Sequence, residues 1–228
     1  IGYILSLEGA DSLRTLADLE HSWEQGLRAL GPAHYGKGRY ALGHDQDGPL
    51  SEQGRELLRE MDRLNLILDA THLCDQTFWH ALDLFQGPVW ASHHNCRALV
   101  DDPRQLADDQ IKALAERGAV IGLAFDVWMV VPGWERGVTT HEDKPEANLE
   151  ALADHLDHYC QLLGTSANVG IGTDLDGGYG SEQTPAGLDF ISDLRDFRAI
   201  LERRGYGHDD LEGIFHKNFL DFLKKAWT

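Results

Sequence analysis

Val169-Gly170-Ile171-Gly172-Thr173-Asp174-Leu175-Asp176-Gly177 is a short apolar run that ends in carboxylates and a glycine. It is too short for a helix, and the turn residues that close it favour a buried strand. The same arrangement recurs upstream. Residues 119–125 end in Asp126, and Val89-Trp90-Ala91 leads to Ser92-His93-His94. Residues 66–70, with Asp69 inside the run, lead to Thr71-His72. Residues 27–30 pass through Gly31-Pro32-Ala33 to His34, and residues 3–7 end in Glu8. Every apolar run therefore leads to a side chain that can bind a metal or move a proton. A single such residue is most simply a cap for the next helix. Six together are not, because His and Glu are poor N-caps.

Amphipathic segments fill the intervals. Ser51 precedes Leu57, Leu58, Met61 and Leu64 at helical spacing, and Asp75 can cap a helix with Phe78, Trp79 and Leu82 that Gly87-Pro88 stops. Asp108 opens a helix through Ile111, Leu114 and Ala115 that ends at Gly118. Leu149, Leu152, Leu156, Tyr159 and Leu163 form one face of a longer helix ending at Gly164, and two helices over 194–201 and 211–223 close the chain. Strand–helix alternation implies a parallel α/β sheet, either doubly wound or closed as a barrel. In a barrel the C-terminal strand ends converge on one face, where active sites form. No linker or repeat interrupts the pattern, so residues 1–228 read as one domain. The irregular stretches 35–49 and 130–145 are excursions at one end of the sheet.

Composition excludes several classes of function. The 228 residues carry 20 Lys plus Arg against 38 Asp plus Glu, a formal charge of −18. That balance opposes a nucleic-acid backbone or an anionic membrane as partner. No apolar stretch approaches the roughly 18–20 residues that span a bilayer. Cys74, Cys96 and Cys160 form no C-x-x-C pair, which favours a reducing, cytoplasmic compartment. Ile1-Gly2-Tyr3-Ile4-Leu5 has neither an initiator Met nor a signal-peptide pattern and reads as mid-strand, so further residues, and with them any export signal, are expected upstream.

Twelve histidines direct attention to metal or proton chemistry. A Glu with two His and a nearby Asp suits a borderline divalent ion, Zn²⁺ above all, that assists attack of water on a carbonyl while a carboxylate manages the proton. No G-x-S-x-G elbow or cysteine nucleophile motif competes. Asp45-Gln46-Asp47-Gly48 lacks the closing Glu of a calcium loop, and the glycines from Gly170 to Gly178 open no dinucleotide-binding helix. His155 and His158 are expected on the solvated face of an outer helix, and His94 as cavity lining. Trp128, Trp134 and Tyr179 are read as packing or pocket wall.

Leu5-Ser6-Leu7-Glu8-Gly9, Asp69-Ala70-Thr71-His72, Ala91-Ser92-His93-His94-Asn95, Pro103-Arg104-Gln105-Leu106 and residues 170–177 occur in this order. With residues 108–113 and Asn218-Phe219-Leu220, the set resembles the membrane dipeptidase (renal dipeptidase) family of zinc peptidases over residues 3–223. The resemblance implies a (β/α)8 TIM barrel of metal-dependent hydrolase type, two zinc ions and dipeptide substrates, and it leaves a homodimer open. It makes Glu8 the catalytic carboxylate bridging both metals, and His72 and His93 the imidazoles of one metal. Asp174 becomes the catalytic proton carrier, His34 the group polarising the substrate, and Arg104 the partner of its carboxylate. Departures accompany the match. The family's first-strand His-x-Asp is not in this chain, and six of eight strands are legible, which places the missing two upstream of Ile1. Gln105 stands where Asn is common, and Asp126 where some relatives carry an aromatic pocket residue. A binuclear zinc dipeptidase is the expectation. A related amidohydrolase acting on another small amide, lactam or lactone is the alternative, as is a barrel that has lost its chemistry.

Overall fold

The structure is a computed structural model that describes residues 2–175 and 177–227. Each expected apolar run forms a parallel strand: β1 (Leu5–Glu8), β2 (Leu27–Gly31), β3 (Ile67–Asp69), β4 (Val89–His94), β5 (Ile121–Leu123) and β6 (Val169–Ile171). Helices α1 (Leu16–Glu24), α2 (Glu52–Arg63), α3 (Asp75–Leu84), α4 (Asp108–Glu116) and α5 (Leu149–Leu163) lie between them. Helices α6 (Leu194–Arg203), α7 (His208–Glu212) and α8 (Asn218–Ala226) follow β6. The sheet order is β1-β2-β3-β4-β5-β6. Strands taken in chain order indicate single winding of the (β/α)-barrel type, because a doubly wound sheet reverses its order at a switch point. The chain divides into two compact units, Ile1–Ser92 with Leu223–Thr228, and His93–Phe222.

In the first unit, Glu8 pairs with Gly31, Leu30 with Leu68, and Asp69 with Trp90. Leu57, Leu58 and Met61 of α2 and Phe78 of α3 are fully buried, the faces expected from their spacing. Ser51 caps α2 by accepting the Gly54 N–H at 2.9 Å. Two features differ from expectation. Asp75 is the first residue of α3 rather than its cap, a place where a carboxylate still meets the positive end of the helix. Helix α1 was not foreseen; it starts at a capping box in which Thr15 accepts the Asp18 N–H and Asp18 accepts the Thr15 N–H.

In the second unit, Ile121 pairs with Val169 and Leu123 with Ile171. Asn148 caps α5 through Glu150 N–H, and Gly164 ends it in the left-handed conformation at φ 69°. The single closing helix expected over 211–223 is broken by a π turn at Gly213–Lys217. That wider turn brings Asn218 to Ser166 and Val169, whose carbonyls accept its amide at 2.8 and 2.7 Å. His155 is not solvated: it is fully buried on the apolar face of α5, a turn from Leu152 and Tyr159. Its Nδ1 accepts the Cys96 N–H and its Nε2 lies 3.0 Å from the Val130 carbonyl. No described helix is long and apolar enough to cross a membrane.

Candidate functional site

Glu8 ends β1 and His34 follows β2 after the bend Gly31-Pro32-Ala33. His72 lies three residues past β3, and its Nε2 is 3.0 Å from Glu8 Oε1. The His34 ring packs against the edge of His72 at a centroid distance of 4.5 Å. Three expected residues of the first unit therefore meet. Asp69 ties the two strand ends together: its Oδ1 accepts the N–H groups of Thr71 and Ser92 at 3.1 and 3.0 Å, and the hydroxyls of Thr71 and Ser92 are 3.2 Å apart. The strand ends are thereby held in one register, since Asp69 pairs with Trp90 and Thr71 bonds Ser92 at the same offset. His72 and His93 continue that offset in sequence.

In the second unit, His93 Nε2 is 3.9 Å from Asp174 Oδ2. Gly177 closes the turn after Asp174, its N–H donating to the Asp174 carbonyl at 2.9 Å. A Cβ at position 177 would lie only 2.7 Å from the Asp174 carboxylate oxygens, so the carboxylate holds its place because that residue is glycine. Asp176, within the same motif, lies outside the described residues. Asp174 and His72 adopt left-handed backbone, at φ 57° and 69°. Among the described non-glycine residues only Asn65 joins them. Strain of this kind persists where the surroundings enforce it, and it concentrates at functional positions.

Arg104 is buried. It donates to the His93 carbonyl at 3.0 Å and lies 3.2 Å from His94 Nδ1. Gln105, where the family pattern has Asn, donates to the Met129 carbonyl at 2.7 Å and accepts the Asn95 N–H. The Asn95 side chain in turn donates through Nδ2 to the Ala124 carbonyl and accepts the Ala124 N–H on Oδ1. These amides tie the segment after β4 to the turn after β5. Asp126 on that turn is also buried, pairs with Arg136 and accepts Trp128 Nε1–H at 2.8 Å. Burial pushes its carboxyl up from the usual range, while Arg136 opposes the rise. Burial likewise pushes the Cys160 thiol up to about 11 and Cys96 higher still, which removes both as thiolate nucleophiles at neutral pH. Sequence reasoning did not single out His44, Asp69 or Ser92 as site residues. The one visible signal was the place of Asp69 inside an apolar run.

Imidazole nitrogens and carboxylate oxygens are the donor set of zinc hydrolases. The comparisons with known proteins agree. The model of the membrane dipeptidase family (peptidase family M19) matches residues 1–228. Dipeptidase tcpJ of Claviceps purpurea is 28% identical over 233 residues, covering 99% of this chain and 52% of that protein. Dipeptidase 3 of Rattus norvegicus is 28% identical, covering 98% and 44% respectively. The chain thus spans about half the length of these relatives. A crystal structure of a metallo peptidase from Rhodobacter sphaeroides, liganded with a phosphinate mimic of the dipeptide L-Ala-D-Ala, superposes with a TM-score of 0.85 at 26% identity. That match covers 98% of this chain and 63% of the other. The chain belongs to the membrane dipeptidase family, peptidase family M19.

Proposed function

We propose that this chain carries one side of the active site of a zinc dipeptidase with two zinc ions in each complete site. The observation that carries the reading is a pair of donors in the first unit: His72 Nε2 lies 3.0 Å from Glu8 Oε1, and the proposal adds His93, at the end of the strand that follows, as the third ligand. Two imidazoles and a carboxylate fit zinc: His72 and His93 would hold one ion, and Glu8 would be shared with the second. Bound zinc supplies Lewis acidity for the attack of water on the scissile carbonyl.

The chain's own residues do the rest. Asp174, beside His93, takes a proton from the attacking water and delivers it to the departing amine as the C–N bond breaks. His34, exposed at the end of β2, donates to the substrate carbonyl oxygen. Arg104 anchors the substrate carboxylate; its burial would make that ion pair a desolvated one. The dipeptide mimic bound by the Rhodobacter relative supports the substrate class. The test is elemental analysis of His72→Ala and His93→Ala. Each should lose roughly one zinc equivalent per chain, as expected when one of a few ligands is removed. Unchanged zinc content in both would overturn the ligand assignment.

A further inference from the structure

Beyond the residues assigned above, the first unit holds a buried histidine with no role in the proposed reaction. His44 lies in the loop between β2 and α2, and its Nδ1 is 3.2 Å from His72 Nδ1. Both residues are buried, at 6% and 4% exposure. We infer that His44 is a positioning residue for His72: it fixes which ring nitrogen of His72 carries the proton and so which one presents a lone pair to the metal. The inference rests on His72 being a ligand, as proposed above.

Two nitrogens at hydrogen-bond distance require one donor and one acceptor. His72 Nε2 faces Glu8 Oε1 at 3.0 Å, so Nε2 is the nitrogen on the side of the other proposed ligand. To offer its lone pair there, the neutral ring must carry its proton on Nδ1. His44 Nδ1 is then the acceptor, and His44 carries its own proton on Nε2. Histidine ligands characteristically donate their other N–H to a fixed partner, usually a carboxylate or a carbonyl. Here the fixed partner is a second imidazole.

The loop is built to hold it still. Gly43 bridges Leu73, the residue after His72, and Cys74 N–H donates to the Leu42 carbonyl at 3.1 Å. Gly43 N–H also donates to the Gly36 carbonyl, and Gly36 N–H to Asp45 Oδ1 at 2.7 Å. A Cβ on Gly43 would collide with the His34 carbonyl, so only glycine lets the loop pass this close. The Tyr35 ring stands edge-on to His44 at 4.7 Å. The chain is therefore fastened on both sides of His44, through Leu42 and Gly43 before it and Asp45 after it.

Zinc affinity, measured by competition with a chromophoric chelator on folded protein, tests this independently of turnover. His44→Leu should weaken zinc binding about 10–100-fold, whereas His44→Asn, whose Oδ1 can accept near the place of Nδ1, should stay within about threefold of the parent. Equal weakening in both variants would reduce His44 to a packing residue and overturn the inference, as would parental affinity in His44→Leu. A His72→Ala control separates the two levels: if that variant keeps its zinc, the ligand assignment fails first. Should His44→Leu not fold, long-range ¹H–¹⁵N spectra of the zinc-loaded parent decide the matter. A proton on His72 Nδ1 is expected, and a proton on His44 Nδ1 directed at His72 would overturn the inference.

Discussion

His155 should make the second unit acid-labile. Its ring accepts the Cys96 N–H on Nδ1 and faces the Val130 carbonyl with Nε2, which suits only the neutral ring protonated on Nε2. Burial lowers its pKa from 6.5 to about 4, the Val130 carbonyl opposing that fall. Protonation therefore favours the unfolded chain. The stability is fully present above about pH 6.5, declines as pH falls, and levels off below about pH 4. At about 1.4 kcal/mol per pH unit, that interval is worth about 3 kcal/mol. Replacing His155 by Leu deprives one buried N–H and one buried carbonyl of a partner, costing roughly 1–3 kcal/mol each. At pH 7.5 the variant should unfold at lower urea than the parent, and the gap should close as pH falls toward 4. Urea titrations followed by circular dichroism at half-unit pH steps measure both effects. Parallel stability curves for parent and variant would refute the reasoning, because the imidazole would then not be the group taking up the proton.

Asp174→Asn keeps the shape of the side chain but cannot take a proton. In the protein assayed on dipeptides its kcat should fall about 10²–10⁴-fold with zinc content unchanged, and full activity would remove Asp174 as the proton carrier. Arg104→Ala should act mainly on KM, through loss of a charge-assisted contact of roughly 1.5–3 kcal/mol. Because Arg104 also holds the His93 carbonyl, a lowered Tm should accompany the effect. An unchanged KM would shift weight to a substrate without a terminal carboxylate.

The strand-end residues were legible because a buried parallel strand writes itself as a short apolar run, and chemistry is confined to the residues just past it. His34, His72, His93 and Asp174 carry that signal, and Glu8 carries it although its own strand, β1, is largely exposed. The strands are shorter than some of their runs: residues 119–125 contribute only Ile121–Leu123, since Ala124 N–H bonds the Asn95 side chain instead of a neighbouring strand. Helix α1 escaped notice because its N-terminal signal, Thr15-Leu16-Ala17-Asp18, precedes a segment that buries only Leu19. His155 was misplaced because polarity was read before position, although a residue between Leu152 and Leu156 lies within the apolar face. The link from His44 to His72 depends on a loop closed by Gly43 against Leu73, a tertiary contact with no local sequence signature. The left-handed backbone of His72 and Asp174 is equally invisible, because neither residue type announces it.

The most direct test of zinc-dependent dipeptide hydrolysis is the release of free amino acid from a dipeptide by the purified protein before chelation, after chelation, and after zinc is returned. Hydrolysis should disappear with the metal and return with zinc in the parent, but not in His93→Ala. Undiminished hydrolysis by metal-depleted protein, or full recovery in His93→Ala, would contradict the assignment of Glu8, His72 and His93 to a catalytic zinc site.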